Sequence, residues 1–107
     1  VDWEVTRHHA ARVIRVLMDT GPTTPSAWFW NVNLPHPLTL DDQPELRFRD
    51  LDPSPHRFSY RREGDALIFE GDFHGRPRLS GRDIDCCMGG MVSVTRMVIG
   101  TAEVRCP

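Results

Sequence analysis

Five histidines and three cysteines are the residues of this chain best suited to hold a metal. A structural zinc site needs two short ligand pairs, such as C-x₂-C joined to H-x₃-H, so that four donors converge on one ion. Cys86 and Cys87 have no spacer, and no His lies within ten residues of them. That excludes the zinc pattern. His8 and His9 are adjacent, and neighbouring helical residues point about 100° apart, so they form no two-histidine face. The pair is expected to be solvated on the polar side of a helix. Asp41-Asp42 has the chemistry of a metal-binding carboxylate pair, but it falls in a loop rather than at the end of a core strand, where its geometry would be fixed. It reads as a solvated loop. A Cys86 or Cys87 thiolate paired with His74 would make a nucleophilic dyad. Nothing in the sequence lowers those thiol pKa values, so buried structural cysteines are expected. No GxxxxGK[ST] and no strand-GxGxxG-helix is present to cradle a phosphate. Arg76, Arg78 and Arg82 flank a Gly-rich loop and are the candidate anion contact. No complete active site can be assembled from these parts.

The elements that would position such residues begin with a helix. Asp2 is suited to cap it, and Ala10, Val13, Ile14 and Leu17 follow the i, i+3, i+4, i+7 pattern of one buried face. Gly21-Pro22 stops it, so a helix is expected from about Trp3 to Asp19. After a Pro-rich connector, Trp28, Trp30, Val32 and Leu34 alternate with Phe29, Asn31 and Asn33, as in a strand. Helix, loop and strand in this order suggest half of an α/β unit whose partner strands lie upstream. Residues 36–44 form a polar loop, and Leu46-Arg47-Phe48-Arg49 reads as a half-exposed strand. Residues 57–70 read as a β-hairpin with its tip near Gly64. A hairpin with aromatic residues and arginines on its faces cannot bury both sides in so small a domain, and is expected to pack on another chain. A short helical turn over 84–90 and a final strand over 91–99 complete the chain.

Composition sets the limits. A chain of 107 residues allows one small domain. With 39% hydrophobic and 26% charged residues it has material for a modest core. A net charge of −2 gives no attraction to nucleic acid polymers or anionic membranes. No apolar run approaches the roughly 20 residues of a transmembrane helix. An odd cysteine count with two adjacent members argues against a disulfide framework, so a cytoplasmic location is expected. The chain starts without Met and has no clear final element, which suggests a piece of a longer protein.

Two segments are more specific: Trp30-Asn31-Val32-Asn33-Leu34-Pro35, directly after the helix and loop, and Gly81-Arg82-Asp83 running on through Gly90-Met91-Val92-Ser93-Val94-Thr95. Together they resemble the C-terminal half of the SurE family of survival proteins, which are 5′/3′-nucleotidases of the acid phosphatase class. That family has a helix leading into an N-[IV]-N-[VLI]-P strand, then a G-T-D segment and a G-Y-V-S-[IV]-T-P strand, with an extended hairpin between. The matching positions are Asn31, Asn33, Pro35, Gly81, Asp83, Gly90, Ser93 and Thr95. Arg82, Met91 and Arg96 depart from it, standing where the family favours Thr, an aromatic residue and Pro, as in a divergent member. The family's C-terminal helix is not found after Ile99.

The resemblance implies an α/β parent with a Rossmann-like core, of which this chain is an α+β part. It would be a single C-terminal segment: 1–35 helix and core strand, 36–82 loop and hairpin, 83–107 final strand and tail. It also implies a metal-dependent phosphomonoesterase acting on nucleoside monophosphates, with Mg or Mn held in the N-terminal half by an Asp-Asp pair, a Ser and an Asn. Asp41-Asp42 does not match that pair, so no cofactor is expected in this chain itself. The resemblance further implies a homo-oligomer, dimer or tetramer, formed through the hairpin, with Phe58, Tyr60, Leu67 and Phe69 at the interface. The rival reading is a small stand-alone interaction domain without enzymatic activity.

Overall fold

Asp2 starts the first helix as expected. Its carboxylate accepts the N–H groups of Glu4 at 3.0 Å and Val5 at 3.3 Å, satisfying two donors that a helix start leaves orphaned. The computed structural model describes residues 1–21, 27–55, 58–71 and 75–99. The Pro-rich connector at 22–26, the first residue of the expected hairpin at 57, His74, and the tail with Cys106 lie outside the described residues. Helix α1 spans Trp3–Thr20 and ends at Gly21, whose φ of 66° is a conformation glycine adopts without strain.

The buried side of α1 differs from the expected stripe. His9 and Val13 are buried and Leu17 packs beside them, whereas Ile14 is 56% exposed. The cause is the loop after the first strand, which folds along the helix. His9 Nε2 donates to the Thr39 carbonyl at 2.7 Å, and Arg12 Nη2 donates to the Pro44 carbonyl at 2.5 Å. Helix positions facing this loop are covered, and Ile14 is turned away. The expectation of a solvated His8-His9 pair is therefore corrected: His8 is exposed, but His9 is a core residue.

Three strands form the main sheet: β1 (Trp28–Asn33), β2 (Leu46–Phe48) and β5 (Val92–Val98), in the order β1-β5-β2. Strand β5 is antiparallel to β1 and parallel to β2. A partner of β1 thus comes from the far end of this chain, not only from upstream. The register explains the choice, because Val32 faces Val94 and Leu46 faces Val92, so side chains of one hydrophobic set share a face. That face, with Trp30 and Leu34, packs on Val13 and Leu17 and forms the core. Fully burying each valine contributes about 1.5–3 kcal/mol.

The hairpin is β3 (Tyr60–Glu63) and β4 (Ala66–Phe69), a separate two-stranded sheet. Gly64, with φ of 60°, takes the first position of its two-residue turn, where a type II′ turn requires positive φ. Between hairpin and β5 lies α2 (Asp83–Met88), the expected short helical turn, packed against β5. An N-terminal helix with mixed sheets agrees with the expected α+β character. Among the described residues no helix is long and apolar enough to cross a membrane.

Candidate functional site

Side chains alternate across a strand, so the face of β5 opposite its valines carries Ser93 and Thr95. The register sets Asn33 opposite Ser93 and Asn31 opposite Thr95, with Arg47 of β2 also paired to Ser93. Four of the eight positions that carry the resemblance therefore meet on one polar sheet face. Ser93 and Thr95 are 0% and 2% exposed, and neither hydroxyl has a hydrogen-bond partner among the described residues. Burying an unpaired hydroxyl costs on the order of 1–3 kcal/mol. This polar floor is incomplete as it stands.

The other motif positions build a clasp beside it. Gly81 turns with φ of 75° and donates its N–H to Asp85 Oδ2 at 2.9 Å, while Arg78 Nε lies 3.3 Å from Asp85 Oδ1. The buried Asp83 carboxylate accepts the Asp52 N–H at 2.7 Å, and the Asp83 N–H donates to the Asp50 carbonyl at 3.0 Å. Asp52 in turn accepts from the N–H groups of Ser54 and Leu79, both at 2.8 Å. Hydrogen bonding by Ser54, with help from Leu79 and Arg76, holds the Asp52 carboxyl below its ordinary range. The Gly81 N–H, followed by Arg78, does the same for Asp85. Gly90, with φ of 88°, returns the chain from α2 toward β5, and Pro35 is buried just beyond β1.

All three candidate anion-binding arginines are placed on this clasp. Arg76 Nη2 donates to the Ser54 carbonyl at 3.3 Å, Arg78 meets Asp85, and Arg82 Nη1 lies 3.6 Å from Asp50 and 3.5 Å from the Leu51 carbonyl. Each thus meets a carboxylate or a carbonyl of the chain itself.

Burial disfavours the thiolate forms of Cys86 and Cys87. Burial raises the Cys86 pKa against the opposing charges of Arg49 and Arg47, and burial likewise raises that of Cys87. Cys87 Sγ lies 3.6 Å from the Leu34 carbonyl it donates to. Cys87 also lines a cavity of about 470 Å³ with Asn33, His36, Ile84 and Gly90. Asp42 Oδ2 accepts the Thr39 N–H at 2.7 Å, and Asp41 is exposed in the same turn. No group of three or more His, Cys, Asp or Glu gathers into a metal site among the described residues.

On the hairpin, Tyr60 faces Phe69 and Leu67 faces Arg62 on one side of the ladder. The Phe69 ring lies 5.6 Å from Tyr60 and 6.1 Å from Phe58. Phe58, Tyr60, Leu67 and Phe69 are all more than half exposed. Sequence reasoning passed over Asp52 and Asp85, and it placed the buried His9 in solvent. For Asp52 there was a signal, because Asp-Pro-Ser is a sequence that closes an Asx turn.

No family model matches the chain. It is similar to a candidate 5′-nucleotidase of Nostoc sp. PCC 7120, with 36% identity over 96 residues, covering 90% of this chain and 42% of that protein. It is also similar to the counterpart of Synechocystis sp. PCC 6803, with 33% identity over 97 residues, covering 91% of this chain and 42% of that one. The chain thus spans about two-fifths of the length of the curated relatives it matches.

Proposed function

We propose that this chain is the C-terminal scaffold and oligomerisation portion of a SurE-like, metal-dependent 5′-nucleotidase. The observation that carries this reading is the coverage: homology runs through 90% of this chain but 42% of each relative. The phosphomonoester hydrolase chemistry, acting on nucleoside monophosphates, then belongs to the whole protein. Its catalytic half lies outside these 107 residues.

Physical features support a scaffold role. β1 is an edge of its sheet among the described residues, so its outer hydrogen-bonding groups are available to a further strand. α1 turns its His9–Arg12 flank toward the loop that leads into β2. Trp3, Ile14 and Met18, all exposed, fall on the opposite flank of the helix. An exposed apolar helix flank and an open strand edge are what a further α/β layer would cover. The apolar face of the hairpin is separate and suits a second copy of the chain.

A divalent metal, Mg or Mn, would polarise phosphate oxygens and activate water in the whole enzyme. The described residues of this chain do not compose such a site, since Asp42 is engaged by its own turn and Asp83 by the clasp. The chain's part is to hold the sheet and present surfaces. The unpaired Cys86 and Cys87 fit a reducing, cytoplasmic setting. The upstream gene sequence tests the reading: a strand followed by Asn-Asp-Asp-Gly supports it, and an in-frame start codon just before Val1 contradicts it.

A further inference from the structure

Strand β1 ends at Asn33, and three clefts open where it ends. The first turn of α1 and the residues just past β1 line one of about 180 Å³. Helix and strand therefore run in opposite directions, as in an α/β unit. A second cleft, of about 370 Å³, lies between that segment and the loop around Asp42 and Pro44. The third is the cavity of about 470 Å³ that holds Asn33 and Cys87. His36 lines all three. The ionisable side chains along these clefts, among the described residues, are Asp2, His36, Asp42 and Cys87. Asp2 caps α1, Asp42 accepts the Thr39 N–H and Cys87 donates to the Leu34 carbonyl. His36 is exposed, and no hydrogen bond, ion pair or ring contact engages it among the described residues. It is the uncommitted proton carrier at this end of the sheet.

Open α/β sheets bind ligands outside the carboxyl ends of their strands. Histidine is the side chain most used to transfer protons near neutral pH. We infer that His36 reaches the reacting centre of the full-length protein and is the general acid for the departing nucleoside. The inference rests on the nucleotidase reading above and goes beyond the scaffold role. In the step, a water oxygen bonds to phosphorus and the bond from phosphorus to the ester oxygen breaks. The electron pair stays on that oxygen, which takes the proton of the His36 imidazolium. The attacking water gives up one proton to solvent, and His36 regains one from solvent. The chain alone remains inactive, because the groups that activate the water lie outside it.

Two esters separate this role from a structural one. AMP releases a poor leaving group that must be protonated, whereas p-nitrophenyl phosphate releases a stable phenolate. The full-length product and its His36→Asn variant are assayed on both with Mg²⁺. The variant is expected to lose roughly 10²- to 10⁴-fold in kcat on AMP, the usual contribution of a general acid. Its kcat/KM on AMP should fall equally, as for a contact made only in the transition state. On p-nitrophenyl phosphate it should stay close to the parent. His36→Gln should repeat the split, and both variants should keep the parent's urea midpoint. An unchanged kcat on AMP, or an equal loss on both esters, overturns the inference. The two readings fail in different ways. If the parent hydrolyses AMP and the variants match it, the nucleotidase stands and His36 has no part in it. If the parent releases phosphate from neither ester, the nucleotidase reading falls and the role of His36 falls with it.

Discussion

The Asp83 carboxylate accepts the backbone N–H of Asp52 at 2.7 Å inside a buried junction. The bond ties the segment after β2 to the start of α2 across 31 residues of sequence, and the Asp83 N–H answers with its bond to the Asp50 carbonyl. One motif aspartate thus fixes where α2 sits on β5.

Replacing Asp83 by Ala leaves a buried N–H without a partner, and is expected to cost about 1–3 kcal/mol. Asp83→Asn keeps an acceptor oxygen and should retain most of the stability. Urea unfolding midpoints of the three proteins check the order. Equal losses for Ala and Asn would contradict a hydrogen-bonding role.

The clasp should also respond to acid. Asp52 and Asp85 have carboxyls held below their ordinary range by hydrogen bonds and arginines. Their contribution is therefore present above the unfolded carboxylate pKa of about 3.9 and is lost as pH falls through the lower folded values. Stability measured by denaturant midpoint is expected to be flat in this contribution near neutrality and to decline below about pH 4. A rise in stability over that acid range would reverse the sign and sink the account.

His9 is expected to anchor the loop that follows Pro35. His9→Ala removes the donor to the Thr39 carbonyl and leaves space beside Val13, costing about 2–4 kcal/mol from a lost buried bond plus a cavity. Amide exchange at Thr39 and Asp42 should accelerate in the variant. His8→Ala, on the exposed side, is the control and should change neither reading.

The hairpin carries the oligomerisation proposal. Tyr60→Ser with Phe69→Ser removes aromatic surface from one face while leaving the Gly64 turn and the Arg61–Glu70 pair in place. Sedimentation is expected to show a dimer or larger species for the parent chain and a shift to monomer for the double variant. A strictly monomeric parent at high concentration would contradict it.

Much of this fold was legible because local signals were strong. Asp2, the Gly21 stop, the alternation from Trp28 to Asn33 and the turn at Gly64 each act over a few residues. What stayed hidden depends on contacts between distant residues. Periodicity could not show that residues 39–44 fold along α1, so it set Ile14 inside and His9 outside. The pairing of β1 with β5 joins residues far apart in sequence, from Trp28 with Val98 to Asn33 with Ser93, and only the structural register shows Asn31 and Asn33 beside Thr95 and Ser93. Asp83 was legible as a family position, but its partner Asp52 was not, since a backbone N–H leaves no mark in a sequence.

The central claim concerns where the chemistry resides, and phosphate release tests it most directly. Nucleoside 5′-monophosphates are incubated with Mg²⁺ or Mn²⁺ and either the purified 107-residue chain or the product of its full-length gene. The account predicts metal-stimulated release by the full-length product and none by the chain alone. Metal-stimulated release by the 107 residues alone, or none by the full-length product, would contradict it.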